Sequence, residues 1–395
     1  MNSTKLKACL DGFIAKNYTP GLDCIVYKDH DILFRYTAGM DDVESAKPLS
    51  SDALYLIFSM TKMLTCVAAL QLYEKGKFSL DDDISMYIPE FAQMKLSDTA
   101  LDLSAAADIT TGGSMGNKAD NTGRGYAVNP ITVKQLFTMS AGLDYSLNDE
   151  PITNALKVGK CSTVELVKAM SNKTLSFEPG THFQYSLCHD VLGALVEIWS
   201  GKSFGDYMTE NIFKPLGMKN TFFGIPEDKE RLSRMVALYK NEGACNPVKI
   251  PLECPYILSK EYQSGGAGLV SNTEDYAVFL DALACGGVSK NGYRLLESKT
   301  VELMSQNHLS GRLLDDFFQL RKGYGYGFGV RTHINALESG SKSPLGEYGW
   351  DGAAGSFSMV DPVNRISLTY FQHVHNWDLA MHEELRNTLY ECLDA

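Results

Sequence analysis

The chain has 395 residues, 44% of them hydrophobic and 21% charged, with a formal net charge of −12. These values are ordinary for a globular protein, and the length fits two or three domains or one large body with an insertion. The negative charge argues against nucleic-acid backbones and anionic membranes as partners, and no apolar run approaches the ~18–20 residues of a spanning helix.

Residues 4–16 carry a helical pattern without the apolar core of a signal segment, so a cytoplasmic location is expected. Nine scattered cysteines, with no Cys-x-x-Cys pair, read as reduced and mostly buried thiols. Leu22–Tyr27 and Ile32–Thr37, joined by a polar turn, form a predicted β-hairpin. A polar connector over residues 39–48 leads to the stretch beginning at Tyr55. After Ser59, apolar residues recur at Met63, Val67, Leu70 and Tyr73, which predicts a helix; Lys75-Gly76 supplies its stop.

Ser59 thus falls at the helix start, with Lys62 three residues on and on the same face. A serine hydroxyl needs an adjacent base to become a nucleophile. A lysine is protonated at neutral pH unless burial lowers its pKa from about 10.4. First-turn amides lack intrahelical partners, so the Ser59 N–H is free to face a developing oxyanion. The spacing is weak evidence by itself: Ser339-Gly-Ser-Lys342 repeats it in a glycine- and serine-rich loop with no apolar period behind it.

Residues 97–129 are rich in alanine, glycine and asparagine and read as a long surface loop. Within it Gly112-Gly-Ser114-Met-Gly116 matches a nucleophile elbow. Such an elbow needs a strand before it and a helix after it, and Ser114 has neither. Ile131–Leu143 resembles a helix and turn of the family named below, and is followed by Tyr145, which can reach a cleft or simply pack. Pro179-Gly180 makes a turn, and the run from Asp190 is an apolar helix that Asp190 is expected to cap, the alternative being that it orients a site. Residues 224–262 are expected to wrap the surface. The glycines after Ser264 make no phosphate loop, because no Gly-Lys-Ser/Thr follows. Residues 323–330 alternate glycine with aromatics, as a strand closely approached by another backbone does. A polar turn over 335–347, a strand at 366–371 and a closing helix over 378–394 complete the chain. His373 and His375 share a strand face but find no third ligand at metal spacing, and His382-Glu383 lacks a second histidine; no metal and no cofactor are expected.

Several of these elements, in order, resemble the serine β-lactamase-like family, which includes class C β-lactamases, D-Ala-D-Ala peptidases and family VIII carboxylesterases. The resemblance rests on Pro20-Gly-Leu22, Ser59-Met-Thr-Lys62 and Leu80-Asp-Asp-Asp. It continues through Phe177-Glu-Pro-Gly, Tyr185-Ser-Leu187, Ile212-Phe-Lys-Pro-Leu-Gly217 and Trp350-Asp-Gly352, and spans residues 8–394 apart from two insertions. It implies an α+β or α/β fold: an antiparallel sheet flanked by helices, built from residues 1–75 and 255–395, with a mostly helical region over 76–254 and a cleft between. Ser59, Lys62 and Tyr185 then fall in the catalytic positions. The amides of Ser59 and Ala353 form the oxyanion hole, and Trp350, Gly352, Leu187 and Tyr145 contact substrate.

Two departures shape the functional expectation. Leu187 stands where lactam-hydrolysing relatives carry an asparagine, and Trp350 where they carry the lysine that holds a carboxylate; Trp-x-Gly is similar to family VIII esterases. The expected activity is a serine carboxylesterase working through an acyl-enzyme on small-molecule esters. The alternatives are a β-lactamase or D-Ala-D-Ala peptidase, acyl transfer to an alcohol other than water, and a penicillin-recognition or sensing module without turnover. The sequence does not specify an oligomeric state.

Overall fold

The structure, a computed structural model, describes residues 1–97, 125–243 and 245–393. Most of the 97–129 segment, with Ser114, lies outside the described residues; Gly125–Tyr126, read as part of that loop, pairs with Lys95–Leu96 as a short strand.

An eight-stranded antiparallel sheet draws on both ends of the chain. Its order is 324–326, 331–333, 348–349, 357–361, 366–371, 21–28, 31–42 and 47–48. The predicted hairpin pairs Cys24 with Tyr36 and Val26 with Phe34, while Cys24 also faces Tyr370 of the strand Ile366–Phe371. Side chains alternate across a strand, so Leu22, Cys24 and Val26 share one face. There the first helix, Ser3–Ala15, and the last, Leu379–Leu393, cover them with Leu6, Leu10, Phe13, Leu385 and Leu389. Ile25 and Tyr27 point to the other face, against Ala277 of the helix Thr273–Ala284. Cover on both faces is why residues 21–27 are buried without a break. The fold is the expected one, an antiparallel sheet flanked by helices.

The helix Thr61–Glu74 differs from its sequence pattern in an instructive way. The periodicity marks one apolar stripe, yet every residue from Thr61 to Leu72 is buried. The helix Cys188–Ser200 packs along it, and the main core surrounds both. A helix enclosed on all sides carries Lys62 inward with it. Gly76, at φ 67°, ends the element.

Three predicted elements are reshaped. Residues 323–330 form a strand only over Tyr324–Tyr326 and then turn; a Cβ on Gly327 would lie 2.3 Å from the Met304 carbonyl. The 335–347 turn contains a short helix, Ala336–Ser339, capped by the Asn335 side chain. The Ile131–Leu143 helix shrinks to Val133–Phe137, started by a capping box of Thr132 and Gln135. All nine cysteines are free, five buried and four partly exposed. Among the described residues no helix is long and apolar enough to cross a membrane.

Candidate active site

A single 3₁₀ turn, Phe58–Met60, delivers Ser59 to the helix that follows. Phe58 holds φ at 43°, a left-handed conformation that is costly for a bulky side chain. Its ring lies 5.2 Å from that of His375, which anchors the turn from outside the helix. Ser59 itself is 8% exposed. One helical step on, the Lys62 amine lies 3.3 Å from Ser59 Oγ.

Lys62 is fully buried, and among the described residues no carboxylate lies within ion-pairing distance of it. Burial therefore dominates its titration, with a smaller opposing pull from Asp190, and the amine is pushed down to about 7. Besides Ser59 it donates to Tyr145 Oη at 2.9 Å and to the Gly266 carbonyl at 2.7 Å. Its Nζ also sits over the Tyr185 ring, 4.5 Å from the centroid. Three donated hydrogen bonds describe the ammonium. The neutral amine keeps two N–H groups and turns a lone pair toward Ser59.

Tyr145 departs from its expected place among the substrate contacts. It is 8% exposed, and its hydroxyl meets the lysine rather than an open cleft. Buried Lys173 fixes the turn that carries it, donating to Asp144 at 2.9 Å and to the Ser146 carbonyl at 2.8 Å. Gly266 was not visible as a site residue in the sequence, and Asp190 only as the less favoured of two readings. The expectation that Asp190 caps its helix is wrong: Leu187 occupies the cap position, and Asp190 lies in the first turn facing inward. Its Oδ1 accepts from Tyr262 at 2.7 Å and Ser264 at 2.6 Å, while its buried Oδ2 has no hydrogen-bond partner among the described residues. Only glycine fits at 266, where a Cβ would lie 2.5 Å from Asp190 Oδ2 and 3.2 Å from Tyr145 Oη.

Tyr185 closes the other side of Ser59. Its hydroxyl accepts the Trp350 indole N–H at 3.0 Å, and the neighbouring Ser59 hydroxyl acts to lower its pKa. Tyr145, Tyr185 and Trp350 stack in series, with ring centroids 5.4 and 5.5 Å apart. Burial pushes the Tyr185 phenol up, outweighing the opposite effects of Ser59 and Trp350, so it stays protonated. A phenolate base at this position is thereby disfavoured, and the lysine is the group whose lone pair is accessible near neutral pH.

The Trp350-bearing segment is locked to its surroundings. The Trp350 amide donates to Ser358 Oγ at 3.0 Å, and Asp351 is held by Arg321 at 2.5 Å and Arg331 at 3.3 Å. Burial alone would raise the Asp351 carboxyl, but these guanidiniums hold it below its ordinary range. A Cβ on Gly352 would fall 2.7 Å from the Ile57 carbonyl, so this segment lies directly against the chain entering Ser59. Among the described residues neither the Ser59 nor the Ala353 amide donates a hydrogen bond.

The remaining candidates sit elsewhere. Leu187 is 1% exposed in the main core, so its side chain packs there rather than facing an open cleft. Ser339 bonds the His333 ring, and Lys342 pairs with Glu391 on the surface, far from any such cluster. His373 and His375 each turn Nδ1 to a backbone carbonyl, of Val236 and Ala353. Among the described residues, metal-type donors gather at His30, Asp281 and Cys285, where the His30 ring already bonds Asp281 at 2.8 Å.

A family model described as Beta-lactamase matches residues 6–389. The chain belongs to the beta-lactamase family. As a member of that family it is an enzyme of the serine-hydrolase kind, with the fold seen in solved relatives. It is 27% identical over 365 residues to Protein Rv1367c of Mycobacterium tuberculosis, covering 89% of this chain and 86% of that protein. It is 24% identical over 393 residues to Esterase EstB of Burkholderia gladioli, covering 93% and 89%. Among solved structures, EstCE1, a hydrolase with promiscuous acyltransferase activity, superposes with a TM-score of 0.79 at 22% identity, covering 98% of each chain.

Proposed function

We propose that the protein is a serine carboxylesterase acting on small-molecule esters through an acyl-enzyme on Ser59. The observation that carries this reading is the buried Lys62 amine 3.3 Å from the Ser59 hydroxyl, with no carboxylate at ion-pairing distance among the described residues. Neutral Lys62 takes the Ser59 proton as Oγ attacks the ester carbonyl. The oxyanion forms between the free amides of Ser59 and Ala353. Tyr185, protonated and beside Ser59, passes a proton to the departing alcohol and is replenished from Lys62. Water then enters and gives a proton to Lys62 as its oxygen attacks the acyl carbon, and that proton passes to Ser59 Oγ as the bond to the acyl group breaks and the acid leaves. Tyr145 and Gly266 hold the lysine in place, and the Trp350 indole holds Tyr185.

Leu187 and Trp350 favour an ester over a lactam or peptide, because neither can hold a substrate amide or carboxylate as asparagine and lysine do. Esterase EstB and EstCE1 add support through their similarity to the whole chain. Labelling with a fluorophosphonate, followed by turnover of p-nitrophenyl acetate against nitrocefin, tests the reading. The expected result is a Ser59 adduct and ester turnover that Ser59→Ala abolishes and Ser114→Ala does not. Nitrocefin as the far better substrate would overturn it.

A further inference from the structure

We propose that His30, Asp281 and Cys285 form a binding site for a divalent transition-metal ion of the zinc class, outside the Ser59 cluster and independent of the esterase reading. One nitrogen, one carboxylate oxygen and one sulfur converge there, all within 4.8 Å of one another. Imidazole, carboxylate and thiolate together are a donor set that zinc takes, whereas magnesium and calcium are held by oxygen. Spacing along the chain does not reveal the cluster, since His30 lies 251 residues from Asp281.

Two rigid elements supply the donors. Asp281 and Cys285 stand four residues apart at the C-terminal end of the helix Thr273–Ala284, so they share one side of it. His30 sits at the tip of the first hairpin, where Asp29 and His30 make a two-residue turn with φ of 48° and 70°. Asp281 holds that turn in place: Oδ1 accepts the His30 amide at 3.1 Å, and Oδ2 meets the ring Nδ1 at 2.8 Å. The Cys285 thiol lies 3.9 Å from Oδ1. The three donors are thus brought together by the fold itself, which cuts the ordering cost of binding an ion.

The local charge favours a cation. The Asp281 side chain is 3% exposed, and among the described residues no lysine or arginine pairs with it; His30 is its one basic partner. The neighbouring charges are committed to each other, Asp31 to Lys290 at 2.8 Å and Asp29 to Arg365 at 3.3 Å. A buried carboxylate is costly unless it is paired or coordinates a metal. His30 and Cys285 are partly exposed, so an ion reaches the cluster from solvent. The ion replaces the thiol proton, which passes to solvent, and His30 carries its hydrogen on Nε2 while Nδ1 faces the metal. Three protein donors leave a fourth position for water, so the site is open and exchangeable. An ion bound there clips the hairpin tip to the helix that packs on the sheet through Ala277.

The experiment adds cobalt(II) or zinc(II) to the metal-free full chain, to Cys285→Ser and His30→Ala, and to Cys161→Ser as a control on another partly exposed thiol. Cobalt is expected to give a thiolate-to-metal charge-transfer band in wild type and in Cys161→Ser, and none in Cys285→Ser. His30→Ala should weaken zinc binding, followed by calorimetry, by about tenfold or more. Saturating zinc should raise the melting temperature of wild type by several degrees and leave that of Cys285→Ser unchanged. A wild type that binds neither ion, or a cobalt band that survives Cys285→Ser, overturns the site. Zinc affinity unchanged in His30→Ala overturns it as well.

Discussion

Lys62 Nζ lies 3.3 Å from Ser59 Oγ at the end of a side chain with no exposed surface, and its other two hydrogen bonds go to a phenol and a backbone carbonyl. Neither contact neutralises a positive charge. The site is thus built to hold an amine that gives up its proton about three units earlier than a lysine in water does.

Replacing the lysine separates its roles. Lys62→Ala should lower kcat for ester turnover about a thousandfold, as loss of a general base does. Lys62→Arg should be no better, since a guanidinium keeps its proton throughout the accessible pH range. Near-wild-type turnover by the arginine variant, measured under saturating ester, would show that a fixed positive charge suffices.

Asp190 should set the pH at which the enzyme switches on. Its negative charge favours the ammonium form of Lys62, so removing that charge lowers the Lys62 pKa further. Asp190→Asn keeps an acceptor for Tyr262 and Ser264. The ascending limb of kcat/KM against pH is expected to move to lower pH. A limb that moves upward, or stays in place while activity falls, would mean that Asp190 acts only through packing.

The buried amine also costs stability in a defined pH window. Lys62 carries a depressed pKa when folded, so the unfolded chain binds more protons between about 7 and 10.5. Folding stability from this group is lowest below pH 7 and recovers as pH rises through that window. Lys62→Met should therefore unfold at higher denaturant than wild type at pH 6, by a few kcal/mol at ~1.4 kcal/mol per pKa unit, and the gap should narrow by pH 10. A gap independent of pH would place the lysine's penalty elsewhere.

Trp350→Phe removes the indole N–H from Tyr185 while keeping a ring in the stack. A single neutral hydrogen bond is worth about 0.5–1.5 kcal/mol, so kcat should fall about tenfold at most, with little change in KM for a small ester. A large rise in KM with unchanged kcat would make the indole a substrate contact instead.

Much of this site could be read from the chain, and the parts that could not share a physical reason. Ser59 and Lys62 belong to one helix, where a three-residue spacing dictates proximity. The fold followed from resemblance across many short motifs in order, and the same resemblance singled out Tyr185 and Trp350, which pack against each other in the structure. Tyr145, Gly266 and Asp190 meet Lys62 or each other only through tertiary packing, 83 and 204 residues from the lysine in the two cases that bond it. Asp190 illustrates the limit: an acid at a helix start suggests a cap, and only the fold reveals that the first turn faces the interior. The burial of Lys62 was equally hidden, since the stripe from Met63 to Tyr73 predicts one covered face and the helix is covered on every side.

The rate at which a fluorophosphonate labels Ser59, followed by mass spectrometry as a function of pH, tests the central claim most directly because it isolates the first proton transfer. A rate that climbs through an apparent pKa near 7 and then levels, and that collapses in Lys62→Ala, is the predicted result. A rate that keeps rising toward pH 10, or an adduct on a residue other than Ser59, would contradict it.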